Sequence, residues 1–428
     1  MWAKRKSQCF FIVFFDLDKA MNVEKKKLSL PSQTDLLIPL LQSISDQGGA
    51  ATPKSLYAEV AKRVGVSSEV LDIRVKSGDQ DYSIFERRLR WTRQTGILKS
   101  LISNDKRGVW ALTQKAKSDL KNMVRGTVLT IFETDMGYML WGNAEDVVGC
   151  VEKGSLNVIL TSPPYPLVKP RDYGNLAEKE WVEDMLRHCE RWRGLLVEDG
   201  SMFLNIGACW IKGSPVQTLH VERLLIRLED NLGLHRLQEF YVKTDGLGGA
   251  LEWVGKRRIR VKNNVEKMIW LSGNPFAKAN NRGVLIPYSK SGLRSIAKPE
   301  AHDGRERPSG YKFGKRSFVD NGGAIPSTLI KASNAGSNNK YRKACRDLGI
   351  SAHPATFPDN LPRFAFGLAS DPGDIVADFM AGSGTSGRVA HEMGRHFICS
   401  ERSLDYIDSA RINFKSAGIP TRDISILR

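Results

Sequence analysis

Paired cysteines, long apolar runs and an excess of acidic charge are all missing from this 428-residue chain. Its six cysteines, Cys9, Cys150, Cys189, Cys209, Cys345 and Cys399, are scattered without one Cys-x-x-Cys pair. Neither a disulfide framework nor a metal site is expected, and a reducing cytoplasm suits such thiols. No stretch approaches the roughly 18 apolar residues of a membrane span. The first residues have the outline of a signal peptide, with Lys4-Arg5-Lys6 ahead of Cys9 to Phe15, yet the run is short and ends in Asp16-Leu17-Asp18 without a small-residue cleavage site. Residues 1–27 therefore read as a disordered, dispensable leader, with translation able to begin at Met21. Asp and Glu number 47 against 64 Lys and Arg, a formal net charge of +17. That balance suits a polyanion such as nucleic acid better than an acidic protein surface or a small neutral substrate.

What is present suffices for two or three domains, since 41% of the residues are hydrophobic. Residues 28–125 have the pattern of three helices closed by a hairpin, a winged helix. Leu36, Leu37, Leu40, Leu41 and Ile44 recur at helical spacing, Gly48-Gly49 stops that helix, and Pro53 opens a second carrying Leu56, Val60 and Val64. A third is expected over Tyr82 to Thr95, ended by Gly96, followed by strands at Ile97 to Ile102 and Gly108 to Leu112. Arg87, Arg88, Arg90 and Arg93 on the third helix are candidates for DNA contact, although a solvated face accounts for the same pattern.

From Met139 the pattern changes to alternating strands and helices, as in a doubly wound sheet. Strands are expected at Leu156 to Leu160, Met202 to Ile206, Phe240 to Lys243, Lys267 to Leu271, Ile375 to Asp378 and His396 to Cys399, with an amphipathic helix over Glu178 to Val197. Between Ser272 and Ser351 the periodicity fades. Trp253 to Ile350 holds 21 Lys and Arg against 6 Asp and Glu, more in keeping with a basic surface laid on DNA than with a linker. Lys256, Arg257, Arg258 and Arg260 are its candidates for phosphate contact.

Two motifs carry the chemistry. Thr161-Ser162-Pro163-Pro164-Tyr165 follows an apolar strand directly. An exocyclic amino nitrogen on a base is a poor nucleophile because its lone pair is delocalised into the ring. A catalyst must accept hydrogen bonds from both N–H groups to turn that lone pair toward an electrophile. The Ser162 hydroxyl and the Pro163 carbonyl can be those acceptors, Pro164 stiffens the loop, and Tyr165 offers a ring face to a flipped base. The same string could be a plain turn, but Asp378-Phe379-Met380 and the loop Gly382-Ser383-Gly384-Thr385 lie between a strand and a helix expected at Arg388 to Met393. The following strand ends at Glu401, an acid suited to ribose hydroxyls. A nicotinamide-binding fold would need further βα units after that loop, and only 27 residues follow Glu401. The rest of the sheet must come from earlier in the chain.

With these motifs in this order the chain resembles the beta-class amino DNA methyltransferases over about Gly137 to Lys415, and Phe85 to Leu112 resembles the N-terminal domain of Mrr-type restriction proteins. The resemblance implies an α/β fold. Its parts are a circularly permuted Rossmann-like methyltransferase sheet, with the catalytic half at 137–271 and the S-adenosylmethionine-binding half at 352–428, an N-terminal winged-helix domain and a basic recognition insert at 272–351. It makes Ser162, Pro163, Pro164 and Tyr165 catalytic, and S-adenosyl-L-methionine the cofactor. Asn143, Thr356, Phe357, Asp378, Phe379, Met380, Gly382, Ser383, Gly384, Thr385 and Glu401 become cofactor-binding. Double-stranded DNA is the implied partner, with a cognate restriction endonuclease and a homodimer left open. The Ser-Pro-Pro-Tyr form and His353-Pro354-Ala355-Thr356-Phe357-Pro358 are similar to the cytosine-N4 subgroup, with adenine-N6 methylation as the alternative. No cysteine follows a proline, so the covalent route of cytosine-C5 enzymes is absent. Met380 stands where the family has an aromatic residue, Asn143 where aspartate is commoner, and Thr328 where asparagine is frequent. A winged-helix regulator with a non-catalytic methyltransferase-like domain is the alternative from another class, and a nicotinamide dehydrogenase a distant third.

Overall fold

The computed structural model describes residues 33–423 apart from 65, 68–70, 72, 78–79, 99–100, 104, 115, 117–127, 167–175, 245–250, 303, 315–317 and 333–336. The expected leader lies outside the described residues. Helices α1 (Gln33–Asp46), α2 (Pro53–Arg63) and α3 (Ile84–Leu98) form the N-terminal unit with a three-stranded sheet in the order β1 (Ala50–Ala51), β5 (Trp110–Leu112), β4 (Ile102–Ser103). Thr52 caps α2, its hydroxyl accepting from the Ser55 amide, and Pro53 occupies the first turn where no N–H is needed. Leu36, Leu40, Ile44, Leu56, Val60, Phe85, Leu89 and Trp110 make the core.

Two sequence expectations fail here. A hairpin of β2 (Arg74–Ser77) and β3 (Gln80–Ser83) takes Tyr82 out of the third helix, and that helix runs through Gly96 instead of stopping there. A Cβ at Gly96 would come within 2.7 Å of the Ile102 side chain, so this glycine allows a close approach between helix and strand. The expected strand at Ile97 to Ile102 accordingly shrinks to β4.

The rest of the chain builds one ten-stranded sheet. Its strands are β6 (Leu129–Thr134), β7 (Gly137–Trp141), β8 (Leu156–Thr161), β9 (Leu196–Gly207), β10 (His235–Thr244), β11 (Val265–Ser272), β12 (Leu329–Ala332), β13 (Ile375–Asp378), β14 (His396–Glu401) and β15 (Arg422–Asp423), in the spatial order β12-β10-β11-β9-β8-β13-β14-β7-β6-β15. The sheet thus begins ten residues before Met139, at Leu129. The central run β9-β8-β13-β14-β7 is parallel, and antiparallel strands flank it. Buried on both faces, β9 reads as unbroken core from Ser201 to Gly207.

Helices cover both faces, as a parallel sheet requires. Besides the single-turn α4 (Ala144–Val147), α5 (Glu178–Arg193) and α6 (His220–Leu232) bury Trp181, Met185, Trp192, Leu224 and Leu228 on one side. After α7 (Lys290–Ala297) and α8 (Ser337–Asp347), helices α9 (Asn360–Ala369), α10 (Thr385–Glu392) and α11 (Leu404–Ser416) bury Phe366, Val389, Ile407 and Phe414 on the other. Each such fully buried side chain contributes roughly 1.5–3 kcal/mol. The stretch expected as an insert is shorter than 272–351. β12 pairs in parallel with β10, and Tyr341 of α8 bonds Ser409 of α11 at 2.9 Å, so of the described residues in this stretch those within 273–328 lie outside the ten strands.

Candidate active site

Strand β8 and strand β13, 218 residues apart at their first pairing, lie side by side and parallel, with Val158 opposite Val376 and Ile159 opposite Ala377. β8 connects through α5 to β9 on one side, and β13 through α10 to β14 on the other, so the crevice between them is a topological switch point where an open sheet holds its ligand. Both sequence motifs leave the sheet at this one edge.

The Ser162 hydroxyl lies 3.1 Å from the Tyr165 hydroxyl and 3.1 Å from the Asn205 carbonyl oxygen. Tyr165 Oη is also 3.3 Å from that carbonyl and accepts from Asn205 Nδ2 at 3.4 Å. Asn205 Nδ2 donates to Glu266 Oε2 at 2.6 Å. The Trp181 indole N–H donates to the Pro164 carbonyl at 2.5 Å, which leaves the Pro163 carbonyl as the one not tied back to α5. A Cβ on Gly207 would come within 2.9 Å of the Tyr165 ring, so glycine makes room for it. Burial and then the Glu266 carboxylate push the Tyr165 phenol well above its ordinary range.

Beyond β13, Gly382 has φ +50° and Gly384, the N-cap of α10, has φ +67°, a region favouring glycine. A Cβ at Gly382 would stand 3.0 Å from the His353 ring. Asp378 is 4% exposed and its carboxylate is engaged within the loop, accepting from Ser386 Oγ at 2.5 Å and the Met380 amide at 3.1 Å. Burial pushes it up to about 6. Phe379 differs from the expectation. Its ring is 1% exposed and lies against Trp192 in the core, so its backbone alone is left to face a ligand. Asn413 Nδ2 donates to the Ser383 carbonyl at 2.9 Å and to Thr385 Oγ1 at 3.3 Å, holding the loop from behind.

Glu401 closes β14 with its carboxylate oxygens taking the Gly382 amide at 3.0 Å and the Ser403 amide at 2.8 Å, and burial raises its pKa. Each oxygen has a second lone pair left for a hydroxyl. Asn143 heads α4 beside the end of β14, its amide on Asp146 at 3.2 Å. His353 stacks edge-on to Tyr406 at 4.4 Å, Thr356 accepts from Arg342 at 3.2 Å, and the half-buried Phe357 packs on the core. A carboxylate at the end of β14, a glycine cradle that a Cβ would fill and a short anchored segment over it fit an adenosyl cofactor.

The family of DNA methylases matches residues 156–411, and the Mrr N-terminal domain matches residues 34–122. The type II methyltransferase M.PvuII of Proteus hauseri is 34% identical over 296 residues, covering 69% of this chain and 88% of its own. This chain is a DNA methyltransferase of that family. The solved structure titled PvuII DNA methyltransferase (cytosine-N4-specific) superposes with a TM-score of 0.55 at 30% identity, over 67% of this chain and 89% of that one. M.BglII of Bacillus subtilis is 23% identical over 63% of this chain and 66% of its own. The methyltransferase acts on DNA, and S-adenosylmethionine is its cofactor.

The basic residues divide. In α3 Arg90 donates to Tyr57 at 2.8 Å and pairs with Glu86, and Arg93 stacks over Trp110, so both bind their own domain, while Arg87 is exposed and Arg88 half-buried. Lys256 and Arg257 share Glu252, Arg257 also lies over Trp253, and Arg258 is the described non-glycine residue with positive φ. Arg260 reaches the Pro215 carbonyl at 3.1 Å and Asn263 the Ala208 carbonyl at 3.3 Å, fastening 256–263 to the segment after β9. Trp210, Gln217, Arg260, Lys262 and Asn263 line a hollow of about 340 Å³ there.

Glu145, Asp184 and His188 come within 4.8 Å of one another, but Arg187 and Arg191 already pair with the two carboxylates, which makes this an ion-pair cluster. Among the described residues no helix is long and apolar enough to cross a membrane. Sequence reasoning missed Trp181, Asn205 and Glu266. A polar residue inside Phe203-Leu204-Asn205-Ile206 was the available signal for Asn205; nothing marked Glu266.

Proposed function

We propose that the enzyme methylates the N4 amino group of cytosine in duplex DNA, on a base turned out of the helix. The observation that carries this is the emergence of Ser162-Pro163-Pro164-Tyr165 from β8 directly beside the glycine loop of β13. Bound against Gly382, Gly384 and Glu401, S-adenosylmethionine supplies an electrophilic methyl group. The flipped base stacks on Tyr165, and Ser162 Oγ and the Pro163 carbonyl accept hydrogen bonds from its two amino N–H groups, turning the nitrogen lone pair toward that methyl. Ser162 can accept because its own proton has the Asn205 carbonyl to go to. Trp181 holds the second proline carbonyl out of the way. The cytosine-N4 label of the similar solved structure supports the choice of base.

The basic loop 256–262 and the segment 273–328 lie against DNA, with Lys and Arg on phosphates. The type II designation of the relatives supports a companion endonuclease reading the same site, and the free cysteines among the described residues support a reducing cytoplasm. The test is nucleoside analysis of DNA from cells expressing the protein. N4-methylcytosine is expected; N6-methyladenine alone would overturn the choice of base.

A further inference from the structure

Methyl transfer leaves positive charge on the acceptor nitrogen until a proton departs, and a fixed negative charge near that nitrogen lowers the barrier. Neither Ser162 nor the Pro163 carbonyl supplies one. Among the described residues, the carboxylate bonded into the hydroxyl network is Glu266, at the start of β11, 2.6 Å from Asn205 Nδ2. Asn205 is 2% exposed, and the same Nδ2 reaches Tyr165 Oη, which in turn meets Ser162 Oγ. Because a carboxylate only accepts, Glu266 fixes which way this amide points, even though Asn205 Oδ1 is left buried without a hydrogen-bond partner among the described residues. An orphaned amide oxygen is costly, so its retention indicates that the opposite end of the amide is fixed by something worth more.

We infer that Glu266 is an electrostatic positioning residue of methyl transfer, acting through Asn205 and Tyr165 to favour the cationic methylated base. The field at the ring agrees with this role. Glu266 opposes ionisation of the Tyr165 phenol to an anion, and a field that disfavours an anion at that ring favours a cation stacked on it. Cys209 feels the same carboxylate, its thiol pushed up to about 12 by burial and then by Glu266. Lys267, the next residue, is turned to Glu222 and Glu239 and leaves Glu266 uncompensated from its own strand.

The inference rests on the methyltransferase reading, so wild-type transfer to cytosine or adenine is measured first; absence of transfer to either would fail that reading and not this one. Glu266→Gln keeps an oxygen for Asn205 Nδ2 and removes the charge. Its single-turnover rate should fall by about tenfold or more, with KM for DNA, cofactor affinity and Tm unchanged. The pair Asn205→Asp with Glu266→Gln returns a carboxylate one bond closer to Tyr165 and should recover most of the rate. A role in packing alone predicts no recovery. A Glu266→Gln rate within twofold of wild type, or a folded double variant no faster than Glu266→Gln, overturns the inference.

Discussion

Ser162 and Asp378 are both polar residues at strand ends, and their surroundings give them opposite tasks. Ser162 is half-buried and reaches the crevice. Replacing it with alanine removes one of two acceptors for the amino protons, so the single-turnover rate should fall by about 10²–10³ while cofactor and DNA dissociation constants stay within about twofold; a rate near wild type would remove Ser162 from the mechanism. Asp378 faces inward. Its carboxyl stands at about 6 in the folded chain against 3.8 for a free side chain. At pH values below both, each state is protonated and the difference has no effect. Between them the native state keeps a proton that the unfolded state has lost, so stability falls as pH rises; above 6 the full cost stands, on the order of 3 kcal/mol. The Tm of wild type relative to Asp378→Asn should therefore drop between pH 4 and 7, read by thermal melts in parallel buffers. A pH-independent difference would contradict the raised value. The sequence made Ser162 legible because the chemistry demands an acceptor after a strand. It left the inward turn of Asp378 illegible, because that depends on Ser386, eight residues on and in the first turn of α10.

At the level of elements, glycines and one tryptophan set how closely the parts approach. Gly387 lies in α10 over β14, where a Cβ would meet Cys399 Sγ at 2.8 Å and the Phe397 ring at 2.9 Å. Gly387→Ala should cost roughly 1–3 kcal/mol by overpacking and weaken cofactor binding, since α10 carries the glycine loop at its start; urea melts and calorimetry read the two effects. Unchanged stability would mean the helix shifts freely. Trp181, expected only as core, is 2% exposed and also holds the catalytic loop through Pro164. Phe keeps an aromatic ring but loses the N–H and part of the indole volume, so Trp181→Phe should lower the single-turnover rate by roughly three- to tenfold, following the 0.5–1.5 kcal/mol of one hydrogen bond, and lower Tm through the small cavity it leaves. Periodicity located β8, β13 and the start of α5 well because burial on two faces writes itself into the sequence, but it carried that helix to Val197, past its end at Arg193 and into β9. It missed the β2–β3 hairpin and misread Gly96, because strands this short and a glycine used for close packing depend on what lies opposite in space.

On the scale of the whole molecule, the permuted order was readable from the motifs, with Ser162-Pro163-Pro164-Tyr165 ahead of the glycine loop at Gly382. Where the +17 charge meets DNA was not readable, since two arginine-rich segments had equal claims by composition. Both sets have neighbours of their own, Lys256 and Arg257 on Glu252 and Arg260 on the Pro215 carbonyl, so what separates them is their place in the fold. Arg90 and Arg93 are bound to Tyr57, Glu86 and Trp110 of their own unit. Lys256 to Lys262 hang from the end of β10 and the start of β11, at the edge where Glu266 pairs with Gly207 and Gly207 meets Tyr165. A phosphate contact releases counterions and contributes close to one unit to the slope of log affinity against log salt. Glutamine at Lys256, Arg257, Arg258 and Arg260 together should therefore flatten that slope by about two to four units and raise KM for DNA. Glutamine at Arg90 and Arg93 should instead lower the melting temperature of the N-terminal unit and leave the slope within about one unit. Titrations of labelled duplex at several salt concentrations distinguish these cases. If the second pair of substitutions flattens the slope and the first set does not, the winged helix holds the DNA and the loop over the active edge serves another purpose.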